Sequence, residues 1–123
     1  MNSPIPEGVF ILESAPHSWL FPQMAAVVHH GGAGTTAAGF QAGVPQVVVP
    51  GGNDQFAWGL RVHELGVGSK PVPRKLLKAD KLSEAISFVL TEQVNNAAKE
   101  LGRKVQSENG VEAAAGIIIN CLE

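Results

Sequence analysis

Residues 14–53 contain no Asp, Glu, Lys or Arg, while all nine basic residues lie between Arg61 and Lys104. The uncharged stretch is not a membrane helix, because Gly31, Gly32, Gly34, Gly39, Gly43, Pro45 and Pro50 interrupt it. It reads as the buried half of an α/β sandwich, whose parallel strands are apolar on both faces. A hydrophobic core that carries no site is the plainer account of the same charge pattern. A chain of 123 residues fits one domain, taken as residues 1–123 with a helical part over about 80–123, and leaves no room for a second catalytic lobe.

Composition narrows the partners. With 45% hydrophobic and 16% charged residues, the chain is expected to pack a core rather than stay disordered. A formal net charge of −2 gives no general attraction to nucleic acid or anionic membrane, so neither is expected as a partner. Cys121 is the only cysteine, which excludes an intrachain disulfide framework and a cysteine-based zinc cluster. There is no signal-peptide pattern and no 18-residue apolar run, so the expectation is a soluble, cytoplasmic protein.

The order of elements follows from apolar spacing and from Gly and Pro. Val9–Leu12 reads as a strand, and His17–Gln23 as a helical turn with Ser18 as cap and Pro22 as stop. Ala25–His29 and Gln46–Val49 read as strands, and Val67–Val72 as a last short one. Between them, Thr35–Ala42 predicts a helix opened by a Thr cap and closed by Gly43. Asp54 is expected to cap a helix running to about Leu65, with Gly66 after it. Leu82, Ala85, Ile86, Val89 and Leu90 give one amphipathic helix, and Val94, Ala97, Ala98, Leu101 and Val105 a second. Asn109-Gly110 breaks the pattern before a third helix, Val111 to Leu122. The alternation predicts an α/β fold, a Rossmann-like parallel sheet flanked by helices.

In such sheets ligands sit beyond the carboxyl ends of the strands. Two glycine-bearing loops fall there. In the first, His29 to Thr36, glycines allow close backbone approach and the following helix start favours an anion. A tight strand-to-helix turn needs the same glycines without any ligand. The Walker lysine is absent, so a phosphate would rest on dipoles and His30. The relaxed dinucleotide pattern at Gly32, Gly34 and Ala37 leaves a nicotinamide-dinucleotide module as an alternative, although no acidic residue ends the next strand. In the second loop, Pro50 to Gln55, Asp54 beside Gln55 offers acceptors and donors for sugar hydroxyls, and Asp54 alone also suits a helix cap. No acidic pair is placed to bridge a metal to a diphosphate, and His17, His29 and His63 read as surface or packed histidines. No metal and no cofactor is expected.

The run His30-Gly31-Gly32-Ala33-Gly34-Thr35-Thr36, then Ala42-Gly43-Val44-Pro45, then Asp54-Gln55, resembles the donor-binding signature of inverting UDP-glycosyltransferases of the two-lobed GT-B class. The nearest likeness is to sterol 3-β-glucosyltransferases and antibiotic glycosyltransferases, and Ser14 to Pro22 extends it upstream. The resemblance implies that His30, Gly32, Gly34, Thr35 and Thr36 bind the donor diphosphate, and that Asp54 and Gln55 bind the sugar. Ser14, Ala15 and His17 would border the nucleobase. Where many relatives carry a Trp that stacks on uracil, this chain has Ser14; where many carry a Glu that grips the ribose, it has Ala38. Pro50-Gly51-Gly52 likewise replaces a commoner Pro-Phe-Phe.

The resemblance further implies a UDP-sugar donor and a sterol, lipid or natural-product hydroxyl as acceptor. The general base and the acceptor pocket would lie in an N-terminal lobe outside these residues, so no catalytic residue is assigned here. Two donor-lobe strands are also expected to be missing between the first and second strands of this chain. Met1 would then open a truncated piece, or a natural donor-binding subunit that pairs with a separate acceptor-lobe chain. In either case an open sheet edge is expected to favour self-association.

Overall fold

A computed structural model describes residues 7–12 and 15–107. Within them a short helix α1 (His17–Leu20) leads through a 3-10 turn, Phe21–Gln23, to strand β1 (Val27–His29). Helix α2 (Ala33–Ala42), strand β2 (Gln46–Val48) and helix α3 (Asn53–Glu64) follow. After a 3-10 turn at Arg74–Leu76 the chain closes on α4 (Ala79–Val89) and α5 (Glu92–Ser107). The helix expected over Val111 to Leu122 lies outside the described residues.

β1 and β2 pair in parallel, with Val27 opposite Gln46, Val28 opposite Val47 and His29 opposite Val48. β2 is buried throughout. Its Val48 packs with Phe40, Val62, Ala98 and Val105 of α2, α3 and α5, while Val47 packs with Ala85, Val89 and Val94 of α4 and α5. Helices therefore cover both faces, which is why this strand reads as an unbroken apolar run after its first residue. The amphipathic stripes of α4 and α5 supply the covering side chains.

Two expected strands are corrected. Val67–Val72 lies along the free edge of β2, where Gln46 N–H donates to Val67 O and Val72 N–H to Val48 O, both at 2.9 Å. It forms only an isolated parallel bridge, at Gly68. Pro71 has no N–H to continue the ladder. Val9–Leu12 forms no strand either, and Phe10 is 84% exposed. Strand propensity describes fit to a half-buried pleated surface, and no described surface receives these four side chains.

The expected side-chain caps are also corrected. Glycines in extended conformation precede α2 and α3, at Gly32 and Gly52, with no side-chain capping bond. Asp54 stands in the first turn of α3 and not at its cap. Thr35 lies within α2, and the buried Thr36 hydroxyl donates back to Gly32 O at 2.8 Å. At α1 the cap position is Pro16, not Ser18; the helix ends at Leu20, and Pro22 is the second residue of the 3-10 turn that follows. Gly43 does close α2 as expected, with φ +70°. There it packs against α5, where a Cβ on Gly102 would fall 2.6 Å from Gly43 Cα.

Candidate functional site

Both glycine loops emerge at the carboxyl ends of β1 and β2 and lean on each other at Gly31. This residue has φ +93°, and a Cβ there would lie 2.8 Å from Val48 Cγ1 and 2.9 Å from Gln55 O. Only glycine permits both that conformation and that approach. The first loop is thereby seated on the first turn of α3.

Two successive histidines hold the loop by the same means. Gly31 N–H donates to His29 Nδ1 at 3.0 Å, and Gly32 N–H to His30 Nδ1 at 3.1 Å. Beyond that they differ. His29 is partly buried, and its Nε2 lies 2.6 Å from Oε1 of the fully buried Gln46. The Gln46 amide in turn donates to Thr36 O at 3.3 Å. With Nδ1 accepting and Nε2 donating, the His29 ring is the neutral tautomer. Burial lowers its pKa below the usual value of 6.5, opposed by the bond to Gln46 and reinforced by His30 and His17.

His30 is exposed. Because its Nδ1 accepts from Gly32, the remaining ring nitrogen carries the proton and faces outward as a donor. Beside it, the first-turn N–H groups of α2 have no intrahelical acceptor and no side-chain cap. These donors, with the positive end of the helix dipole, can hold an anion.

In the second loop the Gln55 side chain folds back so that its Oε1 accepts from Gly51 N–H at 2.7 Å. Its amide nitrogen remains to serve a ligand. Asp54 is exposed one residue earlier. A cavity of about 520 Å³ joins the loops, lined by His30, Gly51 and Gln55 together with Arg74, Leu77 and Leu82. Among the described residues no three His, Cys, Asp or Glu side chains converge as metal ligands.

The residues expected at the site thus fall into three groups. His30 and Gln55 share the cavity, with Asp54 next to it in sequence. Gly32, Gly34 and Thr35 form the helix start that follows His30 and do not line the cavity, while Thr36 faces inward. Ala15 and His17 do not line this cavity, and His17 stacks on Phe21 with ring centroids 4.5 Å apart. A separate cavity of about 200 Å³ is lined by Ser18, Pro22, Ala38 and Gln41. Ser14 lies outside the described residues.

Sequence reading missed Gln46 and Arg74. A glutamine opening an otherwise apolar strand was a usable signal, because a buried amide needs partners. Arg74 gave none, since only the fold brings it to the loops.

A two-stranded parallel sheet covered by helices, with two glycine loops at its carboxyl edge, defines a small α/β lobe whose candidate ligand edge lies at those loops. The particular kind follows from comparison: the chain belongs to the Erythromycin biosynthesis protein CIII-like, C-terminal domain family, which matches residues 2–121. It is 50% identical over 110 residues to a sterol 3-beta-glucosyltransferase of Arabidopsis thaliana, covering 89% of this chain and 18% of that protein. A sterol 3-beta-glucosyltransferase of Aspergillus oryzae is 45% identical over 121 residues, covering 98% of this chain and 8% of the relative. The crystal structure of the glycosyltransferase of kitacinnamycin superposes with a TM-score of 0.76 at 28% identity, covering 96% of this chain and 31% of the other. The chain therefore spans less than a fifth of these curated relatives and about a third of that structure. The resemblance to glycosyltransferases and the α/β fold class are borne out.

Proposed function

We propose that this chain is the donor-binding part of an inverting, UDP-sugar-dependent glycosyltransferase acting on a sterol, lipid or natural-product hydroxyl. The observation that carries the reading is His30. Its outward Nε2–H stands beside the uncapped start of α2 and shares a cavity with Gln55. The diphosphate rests on the N–H groups of Ala33, Gly34 and Thr35 and on His30, and the sugar hydroxyls meet Asp54 and Gln55. An acceptor oxygen attacks the anomeric carbon, the bond to the diphosphate oxygen breaks, and UDP departs. Donors already aimed at the diphosphate stabilise the charge that develops on it.

The base that takes the acceptor proton is assigned to a part of the enzyme beyond these residues. Likeness to sterol 3-beta-glucosyltransferases supports glucose as the sugar and a sterol-like acceptor. No resident cofactor is assigned; His30 and the helix start supply donors for the leaving group. A single cysteine suits a reducing, cytoplasmic compartment. Among the described residues no helix is long and apolar enough to cross a membrane.

The test is His30→Ala. It removes an exposed donor together with the acceptor of Gly32 N–H, an exposed bond that water can replace, so an unchanged urea midpoint is expected while UDP affinity, measured by calorimetry, falls about tenfold. Unchanged UDP affinity contradicts the reading.

A further inference from the structure

The glycine loop carries no full positive charge, yet the cavity beside it does. Arg74 opens the 3-10 turn Arg74–Leu76, and its backbone N–H donates to Pro50 O at 3.0 Å, tying that turn to the second loop. Its side chain runs over Gly51. A Cβ at Gly51 would meet Arg74 Cδ at 3.5 Å and Nη1 at 3.8 Å, with Gln55 Oε1 at 3.6 Å. The guanidinium and the Gln55 carboxamide therefore share one rim of the cavity that His30 lines from the other loop.

Nothing described neutralises this charge. The ion pairs among the described residues are Arg61 with Glu64 and Arg103 with Glu100. No acidic side chain lines the cavity, whose remaining wall includes Val49, Leu77 and Leu82. An exposed guanidinium with no ion-pair partner, on a cavity lined by no carboxylate, is open to an anionic ligand, and its planar fork matches phosphate oxygens two at a time.

We propose that Arg74 is the cation of the donor site, pairing with the phosphate oxygens of a nucleoside diphosphate that His30 and the start of α2 also hold. This assignment rests on the donor-binding reading. It predicts that affinity depends on the diphosphate through a charge contributed by the segment that follows α3. Arg74 is a binding residue here, and its charge also favours departure of the diphosphate.

Calorimetric titration of the chain and of Arg74→Gln with UDP and with uridine tests it. UDP affinity is expected to fall about tenfold and to become less sensitive to salt, while uridine affinity stays the same. The exposed position keeps the variant folded, which the urea midpoint checks. Equal losses for UDP and uridine would mark a structural role and overturn the assignment. So would unchanged UDP affinity; if His30→Ala weakens UDP in the same series, the donor reading then stands without Arg74. An unaltered chain that binds neither ligand overturns both.

Discussion

His29 Nε2 and Gln46 Oε1 lie 2.6 Å apart, joining the last residue of β1 to the first residue of β2. Main-chain pairing in this sheet already sets Gln46 opposite Val27, so the side-chain bond runs diagonally across the register. It continues at both ends, to Gly31 through His29 Nδ1 and to Thr36 O through the Gln46 amide. A buried relay thus connects the two ends of the glycine loop. The loop's shape is fixed from inside, leaving His30 free to face outward.

Gln46→Leu keeps the side-chain size but leaves His29 Nε2–H without its partner and strips Thr36 O of the second donor it has beside its helical bond. Buried groups deprived of a hydrogen bond cost about 1–3 kcal/mol each, so stability should drop by about 2 kcal/mol. Gln46 also fills the space that a Cβ on Gly39 would need, so the site tolerates no bulkier residue. Urea unfolding monitors the change, and an unaltered midpoint contradicts the relay.

His29 makes stability depend on pH. Its folded pKa lies below 6.5, so the unfolded chain takes up the proton first as pH falls. The contribution is complete above about pH 6.5, and declines below it until the folded pKa is passed. The loss is no steeper than one proton. Comparing unfolding free energy from pH 8 to pH 5 for the chain and for His29→Gln isolates this part from the other titrating groups. The variant's curve should be flatter between pH 6.5 and 5; parallel curves contradict the assignment.

Much of this was legible in the sequence. The uncharged stretch foretold a strand buried on both faces, because nothing in Val47–Val49 wants water, and β2 is that strand. The apolar spacing of Leu82–Val89 and Val94–Val105 foretold α4 and α5. Local chemistry misled where glycine does the work of a cap. Thr35 and Asp54 are good capping residues, yet Gly32 and Gly52 take those places, leaving the first-turn N–H groups available to a ligand. Propensity misled at Val9–Leu12, which is strand-like in composition but has no described surface to cover. Arg74 was illegible for a different reason. Its meaning depends on contact with Gly51, across a helix and a turn.

Gly31→Ala strikes both loops at once. The new Cβ must adopt φ +93° and push against Val48 and Gln55 O. The combined strain and displacement should cost about 2–3 kcal/mol. Thermal unfolding reads the loss, and the folded fraction should bind UDP more weakly because Gln55 is displaced. A variant with native stability would show that the loops do not meet at Gly31.

The central claim is that the start of α2, with His30, receives a donor diphosphate, and amide NMR of the labelled chain tests it most directly. With UDP, shifts are expected at His30, Gly32, Ala33, Gly34 and Thr35; with UDP-glucose they should extend to Asp54 and Gln55. No movement of these amides at millimolar ligand, or shifts confined to the α1 side around His17, would contradict the account.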